Sequence, residues 1–187
     1  MSKKFIGFWN VSVILTYIEL CIAIGCICMA ADGYLWQPAV GLVLCGICDM
    51  FDGKIARATK RCEDAKVFGI QIDSLCDLVS FGVLPSAMGH AFGIQGWGTI
   101  PLMLFSLVAV IRLGYFNVME QKRQETTTEN RTSFEGLPVT YAAVIFPLLS
   151  LLRLWVTADV FAWIYGTALM VTAFFNLARI RVPKPQI

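Results

Sequence analysis

The chain has 187 residues, of which 57% are hydrophobic and 15% charged, whereas a soluble domain carries roughly 25% charged residues. With a mean hydropathy of +0.69, this composition excludes an ordinary soluble domain and implies one polytopic, all-α membrane domain over residues 1–187. The net charge of +2 says little, because the placement of charge matters more than its sum, and no nucleic-acid partner is expected.

Lys3 and Lys4 precede an apolar run too long for the core of a signal peptide, and no small-residue cleavage site follows, so no cleavable leader is expected. Six apolar segments then follow in order: Trp9 to Ala30, Pro38 to Arg57, Gly69 to Phe92, Trp97 to Phe116, Pro138 to Val156 and Val160 to Ile180. Each is near the ~20 residues a spanning helix needs. Six spans place both termini on one side with the 54–68 and 117–137 connections. That side then carries every lysine and arginine except Arg153, so it is expected to be cytoplasmic. The 117–137 connection reads mostly as a solvated loop. Trp36, Trp97, Trp155 and Trp163 sit near span ends on the other side and Trp9 on the inner one, as an aromatic belt would.

Seven cysteines, an odd number lying mostly in apolar runs, read as small packing residues rather than a disulfide framework. Cys45 and Cys48 form a CxxC with no second pair to support metal or redox chemistry, and the sole histidine, His90, stands alone. Glu19 falls in the middle of the first span. It reads as a functional acid or as a protonated or hydrogen-bonded packing residue, the second being preferred because no motif adjoins it.

The stretch from Asp49 to Asp77 carries the chemistry. At about 100° per residue, Asp49, Asp52, Gly53 and Ala56 fall at roughly 0°, 300°, 40° and 340°, one face of the second helix. Gly69, Asp73 and Asp77 recur every four residues on the third helix, and Ser80 extends their stripe. Two consecutive antiparallel helices would bring both pairs of acids to similar depth near the cytosolic boundary. Four carboxylates in a low-dielectric pocket repel one another, and hard divalent cations such as Mg²⁺ or Mn²⁺ relieve that repulsion with oxygen ligands. Two cations on four acids would make a two-metal site suited to phosphoryl transfer. Gly53 and Ala56 leave room for a ligand, and Arg57 can pair with a phosphate; helix packing and an interfacial arginine are the structural alternatives.

These residues resemble the signature of the CDP-alcohol phosphotransferase family, DxxDGxxAR followed by GxxxDxxxD. Here it reads Asp49-x-x-Asp52-Gly53-x-x-Ala56-Arg57, then Gly69-x-x-x-Asp73-x-x-x-Asp77. Eleven residues separate Arg57 from Gly69, a longer spacer than the family's usual one, and the excess falls in the charged connection. The flanking DSLCDLVSFGVLPS, RLGYFN, GLP and RIRVPKP resemble the phosphatidylserine synthase branch. In that branch RLARFN is commoner, so Gly114 and Tyr115 are departures.

The resemblance implies transfer of a phosphatidyl group from CDP-diacylglycerol to L-serine with release of CMP. It implies Asp49, Asp52, Asp73 and Asp77 as ligands of two Mg²⁺ or Mn²⁺ ions, with Asp77 also the general base. Gly53, Ala56, Arg57 and Gly69 would contact the donor, and Asn10 would contact nucleotide or else cap the first helix. For serine, Arg112 is the first candidate, with snorkelling as its structural alternative, and Ser80 and Asn117 are weaker ones. A homodimer is also implied. Two other readings stand beside this one. The first is a sister branch using glycerol 3-phosphate, inositol phosphate or an ether-linked donor. The second is a divalent-cation transporter, which would need polar groups distributed through the membrane depth. A purely structural scaffold would leave the aspartates unexplained.

Overall fold

Six helical rods follow one another in the computed structural model, which describes residues 7–59, 62–126, 133–179 and 181–183. The side chains of residues 57, 123–126, 133–135 and 181–183 are outside the description. Lys3, Lys4, Lys60, Arg61, Arg131 and Lys184, on which part of the charge asymmetry rests, also lie outside the described residues.

The first rod, α1, spans Val11–Ala31, and the second, α2, spans Trp36–Ala58. Asn10 caps α1: its backbone is extended and its Oδ1 accepts from Val13 N at 3.0 Å. The third rod is compound. α3 covers Glu63–Asp77, a π-helical turn covers Leu78–Val83, and α4 covers Leu84–Ala91. A 3₁₀ turn at Gly96–Gly98 leads into α5, Thr99–Thr126. α6, Ala142–Ser150, is flanked by 3₁₀ turns, and α7 spans Ala158–Leu177.

The helical class holds, with one addition. A pair of three-residue strands, β1 (Ser133–Glu135) and β2 (Arg181–Pro183), runs antiparallel and ties the 117–137 connection to the tail. Gly136 makes the turn that follows β1: its φ is +76°, and a Cβ there would lie 2.8 Å from Ala178 O. Two connections expected as loops are partly helical. α3 begins at Glu63, six residues before Gly69, and α5 runs ten residues past Phe116. Lysine and glutamate are good helix formers, so polar sequence there continues the helix beyond its apolar stretch.

Four rods are long and apolar enough to cross a membrane: Val11–Ala31, Glu63–Ala91, Gly96–Lys122 and Ala158–Leu177. Val139–Leu154 is apolar but shorter. α2 has the length, yet Asp49, Asp52 and Lys54 lower its hydropathy. The radial distribution of residues is that of a protein solvated by lipid. Large apolar side chains such as Ile14, Ile18, Val40, Met103, Leu148 and Phe174 point outwards, while Ser12, Thr16, Glu19, Asp52, Asp77, Ser80 and Asn176 are buried. Water would favour the reverse, and a bilayer favours this one.

Close helix contacts depend on small residues. A Cβ on Gly41 would collide with Cys26 Sγ, one on Gly46 would lie 2.6 Å from Ala143 Cβ, and one on Gly82 would lie 2.8 Å from Ala109 Cβ. All seven cysteines are free thiols, and Cys26, Cys45 and Cys76 are buried. The end of the bundle away from the aspartates is filled by Phe92, Phe105, Phe146, Phe161 and Tyr165, with ring centroids 4.8–5.8 Å apart. The Tyr165 hydroxyl donates to Pro85 O at 3.0 Å, which satisfies a buried polar group inside that cluster.

Candidate active site

Asp49 and Asp52 lie late in α2, and Asp73 and Asp77 lie late in α3. The i, i+3 and i, i+4 spacings turn each pair toward the neighbouring helix. Asp49, Asp52 and Asp73 offer one carboxylate oxygen each within 4.8 Å of one another. Oxygens around a Mg²⁺ at 2.0–2.1 Å are about 2.9 Å apart when adjacent and about 4.2 Å when opposed, so the three carboxylates would draw closer to share one ion. The donor set, all carboxylate oxygen, also fits one.

The fourth acid is placed differently. Asp77 stands one turn further along α3, outside the three-residue group, and only 6% of it is exposed. It remains close enough for the charges of Asp49, Asp73, Glu19 and Asp52 to act on it, and its Oδ1 has no hydrogen-bond partner. The π-helical turn begins immediately after it, and the Leu84 N–H reaches back five residues to Val79 O. Such turns shift the register of the side chains that follow; here Ser80 is directed fully into the interior with an unpartnered hydroxyl.

Two residues that motif reading did not single out support the acids. Thr16 Oγ1 lies 2.9 Å from Asp52 Oδ2 and 3.1 Å from Ser12 O, so its single proton serves one or the other. Ser74 Oγ donates to Asn117 Oδ1 at 2.7 Å, which fixes α5 beside the Asp73 turn. A hydroxyl in the second turn of α1 is the signal that the sequence offers for Thr16. Nothing local marked Ser74, because its partner is 43 residues away.

The remaining expected site residues are distributed as follows. Gly53, Ala56 and Gly69 are partly buried near the acids, and the Arg57 side chain lies outside the described residues. Asn10 caps α1. Asn117 reaches the Asp73 turn through Ser74, whereas the buried Arg112 donates from Nη2 to Gly136 O at 3.3 Å. Glu19 is fully buried, and neither carboxylate oxygen has a hydrogen-bond partner, although the unpartnered Ser80 hydroxyl is near enough to act on it. Cys45 Sγ lies 3.7 Å from the Glu19 carbonyl oxygen.

An apolar helical bundle, with three carboxylates on two adjacent helices that could hold a divalent cation, defines an integral membrane protein with a candidate metal site. The sequence profile described as CDP-alcohol phosphatidyltransferase matches residues 9–178, and the chain belongs to that family. It is 40% identical over 106 residues to a CDP-diacylglycerol–serine O-phosphatidyltransferase of Saccharomyces cerevisiae, covering 55% of this chain and 37% of the relative. It is 36% identical over 126 residues to the protein of that name in Helicobacter pylori, covering 65% of this chain and 49% of the relative. It is 33% identical over 121 residues to an archaetidylserine synthase of Methanothermobacter thermautotrophicus, covering 63% of this chain and 48% of the relative. The chain thus spans half or less of the length of these curated relatives.

Proposed function

We propose that this chain transfers the phosphatidyl group of CDP-diacylglycerol to L-serine, giving phosphatidylserine and CMP. The observation that carries the proposal is the convergence of Asp49, Asp52 and Asp73, in family order, within 4.8 Å. The names of the three relatives support serine as the acceptor.

Asp49, Asp52 and Asp73 would hold Mg²⁺ or Mn²⁺, with Asp77 contributing to a second ion. When bound, these cations would neutralise charge on the transferred phosphoryl group and on departing CMP. Thr16 steadies the Asp52 carboxylate, and Gly53, Ala56, Arg57 and Gly69 would receive the cytidine diphosphate. Asp77 is the proposed base. Its unpartnered Oδ1 is free to accept the serine hydroxyl proton as the serine oxygen attacks the phosphatidyl phosphorus and the bond to the CMP oxygen breaks. Asn117, held beside the Asp73 turn, is the better placed of the serine candidates; Arg112 lines a crevice that none of the four aspartates borders.

Six spans, with both termini and the aspartate end cytoplasmic, complete the proposal, supported by the placement of lysine and arginine. This arrangement lets the acyl chains stay in the bilayer while soluble serine arrives at the headgroup. A homodimer is part of the proposal on the strength of the family resemblance. The aromatic filling of the far end supports an enzyme over a cation transporter.

A second reading keeps the chemistry and changes a substrate. The archaetidylserine synthase relative favours an ether-linked donor, and Gly114 and Tyr115 leave room for a different acceptor. One experiment separates these readings. Purified protein with Mg²⁺ or Mn²⁺ should release CMP from CDP-diacylglycerol with serine. Release with glycerol 3-phosphate or inositol phosphate but not serine would move it to a sister branch, and preference for a CDP-linked ether lipid would change the donor.

A further inference from the structure

An opening lies between the middle of α5 and the end of α7, on the other side of α5 from the aspartates. It encloses about 200 Å³, and its polar walls are Arg112 and Tyr115 of α5, Asn176 of α7 and Arg179 just beyond it. Tyr115 and Asn117 are two residues apart and so point about 160° apart around α5. Since Asn117 faces Ser74 on α3, Tyr115 and its crevice face away from that helix. None of the four aspartates lines the opening.

The walls are chemically specific. Asn176 is 2% exposed, yet both its Nδ2 and its Oδ1 lack hydrogen-bond partners. A buried amide left unpaired is costly, so a ligand that reaches it and pairs it offsets that cost. Arg112 is anchored by its bond to Gly136 O, and Arg179 is exposed where the apolar span ends at Leu177. Phe175 O, near the end of α7, accepts from Leu137 N at 3.0 Å. Two guanidinium groups, an amide and a phenol thus surround a space of headgroup size. Ile111 and Leu177, each about half exposed, continue the wall along the lipid-facing surface.

We propose that this crevice binds the phosphate-bearing headgroup of an anionic phospholipid, with the acyl chains lying along Ile111 and Leu177. Basic pockets between helices at a membrane boundary recognise such headgroups, and guanidinium groups match phosphate oxygens in pairs. Arg179 supplies the charge that a lipid crossing the interface meets first, and Asn176 supplies the directional contact within.

The test uses the full chain in a neutral detergent, with binding measured by calorimetry. Dihexanoyl phosphatidylglycerol should bind saturably, dihexanoyl phosphatidylcholine at least about tenfold more weakly, and Arg179→Gln should weaken the anionic lipid about tenfold. Asn176→Leu should weaken it as well. Lys66→Gln removes the same charge elsewhere and should leave binding unchanged, as should Asp73→Asn, which disables the metal cluster instead. Equal binding of the two lipids, or Arg179→Gln behaving like Lys66→Gln, would overturn the proposal. Inorganic phosphate competing with the lipid would support phosphate recognition in the crevice. Phosphate binding there without any lipid binding would overturn the lipid assignment.

Discussion

Ser74 on α3 and Asn117 on α5 meet through a 2.7 Å hydrogen bond, joining two helices 43 residues apart one position after Asp73. The bond makes the position of an acid on α3 depend on α5, the helix that carries the RLGYFN stretch. Asn117→Leu should therefore lower kcat/KM for serine about tenfold while changing KM for the lipid donor little, consistent with loss of roughly 1–1.5 kcal/mol of positioning. Steady-state kinetics with each substrate varied in turn would check it. An equal rise in both KM values would place Asn117 in general packing.

Thr16 acts on the cluster through Asp52. Partners of this kind typically change metal affinity 10–100-fold when removed. Thr16→Val should raise the Mn²⁺ concentration needed for half-maximal binding by about tenfold, while Thr16→Ser, which keeps the hydroxyl, should bind as the parent does. Electron paramagnetic resonance of free Mn²⁺ measures this without reference to turnover. A Thr16→Val protein with unaltered Mn²⁺ affinity would show that the 2.9 Å contact does not orient Asp52.

The separate placement of Asp77 predicts a separation of phenotypes. Asp73→Asn removes one of the three converging oxygens and should abolish tight Mn²⁺ binding and turnover together. Asp77→Asn should lower kcat by about 10²–10⁴, the range for loss of a general base, while at least one Mn²⁺ still binds. If Asp77→Asn loses all Mn²⁺ binding, its role is that of a ligand first.

Gly46 tests the packing of α2 against α6. Gly46→Ala places a Cβ 2.6 Å from Ala143 Cβ, well inside contact distance, and overpacking of this kind costs about 1–3 kcal/mol. The variant should melt earlier in detergent, and Ala143→Gly in the same chain should restore much of the loss. A double variant no more stable than Gly46→Ala would rule out that contact as the cause.

The membrane class, the helical elements and the identity of the acids were legible in the sequence because each rests on a local period. An apolar run of the length of a bilayer, a four-residue repeat of aspartates and an asparagine before a helix all declare themselves within a few turns. Glu19 was ambiguous for the same reason. Its neighbours along α1 are apolar, and only the arrival of Ser80 and Cys45 from other rods defines its surroundings. The full lengths of α3 and α5 do not show in the apolar pattern either, since polar helix formers extend a rod without any hydrophobic signal.

What the sequence alone determined is which residues can ligate and transfer: four acids at fixed spacing, whose desolvation requires a cation or a proton. Only the tertiary structure decided how they divide. It drew three of them into one group and left Asp77 a turn away, and it brought Thr16 and Ser74–Asn117 to brace them. It also opened a separate arginine-lined crevice between α5 and α7. The physical reason is distance along the chain. Helical periodicity fixes which side of a rod a residue occupies, but the neighbour on that side is chosen by the packing of rods tens of residues apart.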